Sequence, residues 1–419
     1  MFFYNYIAVP FLKIAATIGG NFNKKIADRE RNVRKSFKNL EKLSSEGKRV
    51  WFHAASVGEF EQAKPVIEAI KEDNPEIIII VSFFSPSAYN TQRSYKYADA
   101  IVYMPLDTRK NAREFIELLK PDVAIFVRYE AWFNHLSVLK GRNIPTLLIC
   151  ATLSQKKIWN YPLLKTFRFK TYSLFTKIYT VSEEQTERLK KLKLQTPFKT
   201  LTDTRFDRIA KIIDSARREQ IIPESYFGID DFVLVAGSTW EADEDMIIEA
   251  FSNLPDNEKG VLKLVLVPHE PTPEHITLLK TKLPDAILLS EIGTNSETEN
   301  FGAHIIVDSI GKLLKLYAVA DAAYIGGGFG IGVHSTTEPA GYGIPLATGH
   351  NIHNSPDAPT LEKLGALTVL KNAYDCKNWL LKIIQDDNFR EKSGETARKY
   401  IYDSLGSTEI IAREIAEYL

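Results

Sequence analysis

Cysteine is scarce in this chain, and metal-binding spacings are missing. The two cysteines, Cys150 and Cys376, lie far apart and neither belongs to a CxxC pair. Such usage fits a reducing compartment and argues against a disulfide scaffold or a structural zinc site. The eight histidines form no HExxH motif. His350 and His353 could form a metal pair, but a loop is the interpretation that we favour. We therefore expect neither a metal ion nor a cofactor.

An excess of one charge is missing as well. The 53 basic and 53 acidic residues cancel, so no overall positive field marks the chain as a nucleic-acid-binding protein. A hydrophobic fraction of 44% and a charged fraction of 25% are typical of a globular protein. The 419 residues are too many for one small core, and roughly 100–200 residues per domain predicts two or three domains.

The N-terminus lacks the features of a cleavable signal peptide. Residues 1–23 are mostly apolar, a basic stretch follows them instead of preceding them, and there is no Ala-x-Ala cleavage pattern. Asn5, Pro10 and Lys13 weaken a membrane span of about 20 residues. We predict a membrane-anchor segment at residues 1–32 that lies in or dips into the bilayer, with its basic residues on the cytoplasmic side. The alternative is an apolar helix docked on the protein's own core or on a partner.

Beyond this segment, short apolar runs alternate with helix-like stretches. Runs rich in Ile and Val that alternate with helices are typical of a parallel sheet covered on both faces. The predicted strands of the first half are Arg49–Ala54, Ile77–Ser82, Ala100–Tyr103, Val123–Val127, Thr146–Ala151 and Lys177–Val181. Those of the second half are Phe232–Ala236, Leu262–Val267, Ala286–Leu289, Ile305–Val307, Ala322–Ile325 and Ile344–Thr348.

These two halves indicate an α/β protein with two doubly wound domains that face each other across a cleft. Ligands are expected outside the carboxyl ends of the strands. We predict an N-terminal domain at residues 33–200, an interdomain linker at 201–228 and a C-terminal domain at 229–405. Residues 406–419 are predicted to form an amphipathic helix that could pack on either domain.

The sequence VWFHAASVGEF at residues 50–60 contains the first candidate for chemistry. An apolar strand ends in small residues, Gly58 makes a turn, and Glu59 opens a helix. A helix N-terminus favours an ionised carboxylate by about 0.3–1 kcal/mol, and an ionised carboxylate is what a general base needs. The competing interpretation is a first-turn residue that only complements the helix dipole.

Two further stretches of the first half carry charged candidates. Glu130 follows the strand in VAIFVRYEAWFN and could orient an acceptor or a positive partner, or it could pair with Arg128 or a neighbour. Arg205, in TDTRFDR, could neutralise a phosphate through bidentate contacts, or it could be a solvated linker charge.

In the second half, small residues follow a strand in VAGSTWEADE. Gly237, Ser238 and Thr239 would let backbone N–H groups approach an anion, or they would form an ordinary capped turn before a helix. His269, in LVPHEP, follows a buried strand and a proline, which would hold it at the strand's end. A surface-loop histidine is the competing interpretation.

The strongest candidate is AAYIGGGFGIGVHSTTEPAGYG at residues 322–343. Five glycines within seven residues lead to His334 and to a helix that opens near Glu338. The spacing is not that of the GxGxxG fingerprint, and the Gly-Lys-Ser/Thr of a P-loop is absent. We expect bare backbone against a ligand, a phosphate at the helix N-terminus and ribose hydroxyls at Glu338. The alternative is a glycine-rich structural turn.

In this order, the motifs resemble those of the Kdo transferases, which move 3-deoxy-D-manno-octulosonic acid (Kdo) from CMP-Kdo onto the lipid A precursor. The motifs are HAASVGEF, RYEAWFN, TDTRFD, GSTWEADE, VPHEP, DSIGKLLKLY and GGGFGIGVHSTTEPAGYGIP. The resemblance runs from the N-terminal segment almost to the C-terminus. It implies a glycosyltransferase-B fold with two Rossmann-like domains. It also implies a CMP-Kdo donor, lipid IVA as acceptor, and a place on the cytoplasmic side of a bacterial inner membrane.

The resemblance assigns roles residue by residue. It implies that Glu59 is the catalytic base of an inverting transfer, and that Glu130 and Arg205 are further functional residues. The nucleotide-binding residues that it implies are Pro268, His269, Ile310, Gly311, Lys312, Ser335, Thr336, Thr337 and Glu338. It implies no metal, since the donor carries a single phosphate that fixed groups can stabilise.

Three positions depart from the family pattern. Pro-His-Glu begins at Pro268 where the common motif reads Pro-Arg-His, Ser335 follows His334 where Asn is usual, and Arg128 stands where many members carry an acidic residue. These departures concern contacts to the donor. Two alternatives stay open, a UDP-sugar-dependent glycosyltransferase-B enzyme of envelope lipid synthesis and a non-catalytic nucleotide-sugar-binding membrane protein.

Overall fold

The computed structural model describes residues 4–10, 24–44, 46–154, 158, 161–219, 221–292 and 302–419. Much of the predicted membrane-anchor segment, residues 1–3 and 11–23, lies outside these described residues. Within the described part, no helix combines the length and the apolar character that crossing a bilayer requires. The chain separates into two compact units, one of Met1–Arg208 with Leu405–Leu419 and one of Ile209–Ser404.

The first unit is built on a seven-stranded sheet in which neighbouring strands are parallel. Its strands are β1 Arg49–Ala54, β2 Ile78–Phe83, β3 Ala100–Tyr103, β4 Val123–Val127, β5 Thr146–Ala151, β6 Lys177–Thr180 and β7 Phe198–Thr200. After a π-helical turn at Tyr4–Ala8, its helices are α1 Lys24–Glu41, α2 Val57–Asp73, α3 Pro86–Gln92, α4 Arg109–Leu119, α5 Phe133–Gly141, α6 Pro162–Tyr172 and α7 Glu183–Lys190. Helix α8, Arg205–Ala216, begins in this unit and continues into the second.

Helices cover both faces of this sheet, which explains its apolar strands. Every residue of β1, β2, β4 and β5 is buried. Successive side chains of β1 point to opposite faces of the sheet. Phe52 packs in the hydrophobic cluster on one face, and Trp51 packs in the cluster on the other. A strand buried on both faces cannot alternate apolar with polar side chains, so it appears in sequence as an apolar run.

Helix α1 packs along the edge strand β3. The backbone N–H of Tyr103 donates to the Ser36 hydroxyl over 3.0 Å, and the Arg29 guanidinium donates to the Met104 carbonyl over 2.6 Å. The boundary that we predicted between residues 32 and 33 therefore falls inside one continuous helix on the first sheet.

The second unit repeats the same architecture with a second seven-stranded parallel sheet. Its strands are β8 Phe232–Thr239, β9 Leu262–Pro268, β10 Ile287–Leu288, β11 Ile305–Ile306, β12 Ala322–Ile325, β13 Leu346–Gly349 and β14 Leu367–Leu370. Its helices are α9 Glu241–Ser252, α10 Asp256–Val261, α11 Pro273–Lys282, α12 Leu313–Leu316, α13 Thr337–Tyr342, α14 Ala358–Leu364, α15 Ala373–Gln385 and α16 Asp387–Tyr402. Short 3₁₀ turns lie at Glu224–Tyr226, Leu289–Glu291 and Tyr317–Val319.

The last helix, α17 Ser407–Ala416, returns to the first unit and packs on α2. Ile411 and Ile415 enter the core beside that helix. The Glu414 carboxylate accepts hydrogen bonds from Lys177 Nζ over 2.6 Å and from the Tyr179 hydroxyl over 2.9 Å. The sequence left the partner of this helix open, and the tertiary contacts assign it to the first unit.

The order of the strands determines where each sheet can hold a ligand. The order is β3-β2-β1-β4-β5-β6-β7 in the first sheet and β10-β11-β9-β8-β12-β13-β14 in the second. In the first sheet, β2 and β3 lie on one side of β1, whereas β4 to β7 lie on the other side. The second sheet has the same reversal between β8 and β12. At such a point the connecting loops leave in opposite directions and open a crevice at the carboxyl ends of the strands.

The structure contains all twelve predicted strands, with bounds that match the prediction or differ from it by a few residues. The prediction missed β7 and β14, which are edge strands of three and four residues. Runs this short show little periodicity. In the stretch 201–228, predicted as a linker, α8 forms a helix whose Ile213 is fully buried.

Candidate active site

In the first unit, two carboxylates follow the two strands that flank the reversal point. Glu59 lies in the first turn of α2, just after β1, and Glu130 lies in the loop after β4. Strands β1 and β4 are hydrogen-bonded neighbours, so their following loops emerge side by side. The structure thus brings together two of the residues that the sequence singled out.

Glu59 is held by the backbone that precedes its helix. Its Oε2 accepts hydrogen bonds from the N–H groups of Ala55, over 2.6 Å, and Ser56, over 3.2 Å. The Ser56 hydroxyl accepts in turn from the Glu59 N–H over 3.4 Å, which completes a capping box. Among the described residues, none donates a hydrogen bond to Oε1. One oxygen therefore positions the side chain and the other is available to a hydroxyl.

The sequence analysis noted that the helix N-terminus favours ionised Glu59, but in the structure burial and a neighbouring charge outweigh this contribution. Burial, followed by the negative charge of Glu130, raises the pKa of Glu59 from 4.5 to about 7. The hydrogen bonds from Ala55 and Ser56 and the charge of Arg128 lower the pKa but do not compensate. The side chain is only 2% exposed, and removing a carboxylate from water costs more than a helix dipole returns. A carboxylate that titrates near neutral pH is well suited to take up a proton.

Glu130 contacts aromatic and imidazole groups. Its Oε2 accepts a hydrogen bond from the Trp132 indole over 2.6 Å and lies 3.4 Å from Nε2 of His53. Arg128 has a left-handed backbone with φ of 67°, and its guanidinium lies over the Tyr129 ring. Among the described residues, the basic side chain closest to Glu130 is therefore that of His53, a neighbour, and not that of Arg128.

Arg205 begins α8 and is paired within its own loop. Its Nε and one terminal nitrogen lie 3.0 and 2.9 Å from Asp203 Oδ2, and its backbone N–H donates to Oδ1 of the same residue. Gln62 donates to that Oδ2 over 2.7 Å. Arg205 is therefore a positioned cation of the first unit, with Asp203 offsetting part of its charge.

In the second unit, the loops after β8 and β12 flank the equivalent reversal point, and Asp243 links them. Its carboxylate accepts from the Trp240 N–H over 3.0 Å, from the Gly327 N–H over 2.9 Å and from the Tyr324 hydroxyl over 2.6 Å. Asp243 is 1% exposed. The glycine-rich loop is thus fixed to the first turn of α9.

Gly326 and Gly328 of this loop face the protein's own backbone. A Cβ on Gly326 would lie 2.2 Å from the Ser238 carbonyl oxygen, and one on Gly328 would lie 2.5 Å from the Gly349 nitrogen. At Gly330 a Cβ would meet nothing within 4 Å. At Gly326 and Gly328 the missing side chain lets neighbouring strand ends pack, which differs from the expected bare backbone against a ligand.

Three aromatic rings stack beside the loop. The Trp240 and His269 rings lie 4.9 Å apart, and the His269 and His334 rings lie 4.4 Å apart at 17°. The Trp240 indole donates to His334 Nε2 over 3.1 Å. Burial and the neighbouring His269 lower the pKa of His334. His269, just after Pro268 at the end of β9, is therefore part of an organised stack, and Trp240 is a member that the sequence analysis missed.

The residues after His334 form the start of α13. The hydroxyls of Ser335 and Thr337 lie 3.3 Å apart. Thr336 is 1% exposed, and its hydroxyl has no hydrogen-bond partner in the part of the chain that the structure describes. Glu338 is half-buried in the first turn, and after burial its charge is the next largest cause of the raised pKa of Tyr317.

The remaining predicted residues lie on a separate exposed loop. Ile310 is 80% exposed, Gly311 has φ of 78°, and Lys312 is an exposed residue directly before α12. Among the contacts of the described residues, none joins Ile310, Gly311 or Lys312 to the aromatic stack. Among the described residues, no group of three or more His, Cys, Asp or Glu side chains is arranged to hold a metal ion.

Comparison with solved structures defines the fold. The UDP-GlcNAc 2-epimerase of Neisseria meningitidis, solved bound to UDP-GlcNAc, matches with a TM-score of 0.58 at 13% identity, over 88% of this chain and 100% of that chain. MurG of Acinetobacter baumannii matches with a TM-score of 0.55 at 11% identity, over 88% and 99%. Identities this low establish the fold alone. The fold is of the glycosyltransferase-B type, with two Rossmann-like units.

Sequence comparison then shows which family the chain is similar to. The family model of 3-deoxy-D-manno-octulosonic-acid transferase (kdotransferase) matches residues 29–208. The 3-deoxy-D-manno-octulosonic acid transferase of Aquifex aeolicus is 29% identical over 362 residues, 84% of this chain and 91% of the relative. That of Haemophilus influenzae is 25% identical over 385 residues, 88% and 87%. The chain is thus similar to Kdo transferases, which are glycosyltransferases, over most of its length.

Proposed function

We propose that this protein transfers Kdo from CMP-Kdo to a hydroxyl of a lipid A precursor, lipid IVA, with inversion at the anomeric carbon. Glu59 accepts the proton of the acceptor hydroxyl. The bond from that oxygen to the anomeric carbon forms while the bond from the carbon to the phosphate oxygen breaks. CMP leaves with the electron pair of that bond.

The buried Glu59 carboxylate carries this proposal. A general base must be held in place, must have a free oxygen and must titrate near the working pH. Glu59 is fixed through Oε2 by two backbone N–H groups, and burial together with Glu130 raises its pKa to about 7. Its place after β1, at the reversal point of the first sheet, is where an α/β fold holds ligands.

We assign donor binding to the second unit. The residues proposed to contact CMP-Kdo there are Pro268, His269, Ile310, Gly311, Lys312, Ser335, Thr336, Thr337 and Glu338. The support is the position of most of them at the loops after β9 and β12, together with the buried Thr336 hydroxyl that has no partner among the described residues. Arg205 is proposed to stabilise the leaving phosphate, with Asp203 holding its guanidinium in place.

We also propose that the protein works at the cytoplasmic face of a bacterial inner membrane. The acceptor is a lipid, and helix α1 exposes Arg34, Lys35 and Lys38, which suit anionic headgroups. Partition of the full chain and of a chain without residues 1–23 between buffer and anionic vesicles tests this placement. Equal partition of both chains would contradict a role for that segment in anchoring.

One incubation tests the transfer itself. The full chain receives lipid IVA with CMP-Kdo generated in place, and mass spectrometry reads the addition of Kdo. Glu59→Gln should lower the rate by about 10²–10⁴-fold while CMP still protects the second unit against thermal unfolding. Protection by UDP in place of CMP would favour a UDP-sugar donor. Protection without turnover would favour a nucleotide-sugar-binding protein that has no catalytic activity.

A further inference from the structure

His53 is a fully buried titratable residue to which the proposed transfer gives no role. It lies on β1, at 0% exposure, on the same face of the strand as Trp51. The rings of Phe126 and Trp132 pack edge-on against it at 5.6 and 5.9 Å. Both ring nitrogens face polar groups, although aromatic side chains enclose the imidazole. A buried polar ring in such a place requires a defined set of hydrogen-bond partners.

The contacts of Nδ1 fix the position of the imidazole proton. The Trp51 indole, which can only donate, donates to the Ser82 hydroxyl over 2.8 Å. The Ser82 oxygen therefore acts as an acceptor toward Trp51, and its own proton needs an acceptor. Nδ1 of His53 lies 2.9 Å from that oxygen. If Ser82 donates to Nδ1, the imidazole carries its proton on Nε2.

The competing tautomer is a weaker match to the same contacts. Nδ1 also lies 3.1 Å from the Ser82 backbone carbonyl, to which an Nδ1–H group could donate. That arrangement would leave the proton of the buried Ser82 hydroxyl without the acceptor at 2.9 Å. It would also turn the lone pair of Nε2 toward a carboxylate, which is repulsive.

On its other side, the imidazole faces Glu130. Nε2 lies 3.4 Å from Glu130 Oε2 and makes no hydrogen bond to any described residue. The same carboxylate oxygen accepts from the Trp132 indole over 2.6 Å. The Glu130 side chain is 13% exposed. The carboxylate oxygen therefore lies between the Trp132 indole and the His53 imidazole, and Trp51, Ser82, His53 and Glu130 form one continuous series of polar contacts.

We propose that His53 is a positioning residue for the transfer reaction: its imidazole, with the proton fixed on Nε2 by Ser82, holds the Glu130 carboxylate in place within electrostatic reach of Glu59. The proposal rests on the proposed function in that Glu59 is the base. His53 acts through Glu130 and does not contact the reacting atoms.

The charges near His53 and Glu130 determine whether loss of the His53 imidazole raises or lowers the pKa of Glu59. Glu130 raises the pKa of Glu59, and Arg128 lowers it. Glu130 also contributes to the raised pKa of Tyr172 on α6, after burial. Loss of the Nε2–H donor frees the Glu130 carboxylate to move away from Glu59, which weakens the effect of its negative charge on the pKa of Glu59. Glu59 then titrates at a lower pH. The pH below which kcat/KM falls, the acid limb of the pH profile, is lowered by the same amount.

The tautomer can be measured without any substitution in the network. Histidine-selective ¹⁵N labelling of the full chain separates the two tautomers by their ring nitrogen shifts, and comparison with His53→Asn identifies the signal. We expect Nε2–H at pH 7. An Nδ1–H tautomer would overturn the proposal. In Ser82→Ala the proton should move to Nδ1, because the hydroxyl that donates to that nitrogen is gone and the backbone carbonyl becomes its acceptor.

A matched pair of variants tests the link to Glu130. The amide nitrogen of Gln reaches the position of Nε2, whereas that of Asn reaches only the position of Nδ1. His53→Asn should shift the acid limb of kcat/KM to lower pH by about one pH unit, and His53→Gln should restore most of the wild-type profile. In a Glu130→Gln background both variants should leave the limb unchanged. Equal profiles for the two variants, or a shift that persists without Glu130, would contradict the proposal.

A second measurement does not depend on transfer activity. The change with pH in the free energy of unfolding, compared with Glu59→Gln, reports the titration of Glu59 in each background. If the chain transfers no Kdo, the proposed function fails, yet this comparison still decides the role of His53. A titration of Glu59 that is the same with Asn, Gln or His at position 53 would refute the positioning role.

Discussion

Replacing Glu59 by Gln should make the first unit more stable in neutral and alkaline solution while it removes catalysis. The pKa of Glu59 is raised in the folded chain from 4.5 to about 7. The folded state therefore holds the proton more tightly than the unfolded state, so deprotonation opposes folding. This stability is present below about pH 4.5, and it is lost as the pH rises toward and through about 7. Gln keeps an acceptor for the Ala55 and Ser56 N–H groups and carries no charge.

The size of the effect follows from the rise in pKa. From 4.5 to about 7, at about 1.4 kcal/mol per pH unit, the ionised carboxylate costs about 3 kcal/mol of folding free energy. Between pH 5 and pH 8, the stability of Glu59→Gln relative to wild type should therefore rise by about 2–3 kcal/mol. Other titrating groups cancel in this difference.

Urea unfolding at several pH values, followed through a probe in the first unit, measures this difference. A matched control is Glu61→Gln on the same helix, since Glu61 pairs near the surface with Lys64 and Arg208. The control should keep the wild-type loss of stability between pH 5 and pH 8. A difference between Glu59→Gln and wild type that stays constant over this range would refute the electrostatic argument, because Glu59 would then titrate at its ordinary value.

Three further perturbations test other parts of the structure. Glu130→Gln should move the acid limb of kcat/KM below pH 7, because its negative charge is the second cause, after burial, of the raised pKa of the proposed base; an unchanged limb would contradict this coupling. Gly326→Ala should cost at least about 1–3 kcal/mol in urea unfolding of the second unit, since its Cβ would overlap backbone, whereas Gly330→Ala, with open space, should cost little. Ile415→Ala should destabilise the first unit by about 2–5 kcal/mol, whereas the 37% exposed Ile410 should tolerate the same change within about 1 kcal/mol. Equal losses at the members of either pair would argue against the packing described.

The sequence predicted the strands well where burial on both faces leaves an apolar run. Arg49–Ala54 and Val123–Val127 were predicted with the bounds that the structure shows. The short edge strands β7 and β14 were missed, because three or four residues carry no measurable period. The helix of residues 407–416 was predicted, but its partner α2 was not, because amphipathic character gives a buried face without naming what covers it.

For the candidate site, the residues could be selected from the sequence, but which of them lie next to each other could be seen only in the fold. Glu59 and Glu130 were both selected from strand ends, yet their pairing depends on β1 and β4 being adjacent. His53 lies inside the same motif as Glu59, and its alternation with Trp51 along the strand was the available signal of burial. No pattern in the sequence indicated that Trp240 would stack on His269.

Local sequence determined the two Rossmann-like halves and the capping box at Glu59, because both depend on residues that are close along the chain. Ser56 and Glu59 are three positions apart, and the box forms wherever they start a helix. The chemical character of Glu59 was decided by the tertiary structure alone. Burial by the surrounding elements and the charge of Glu130, 71 positions further along the chain, move its pKa to about 7. Solvent exclusion and charge proximity are properties of three-dimensional packing, and a single sequence does not state them.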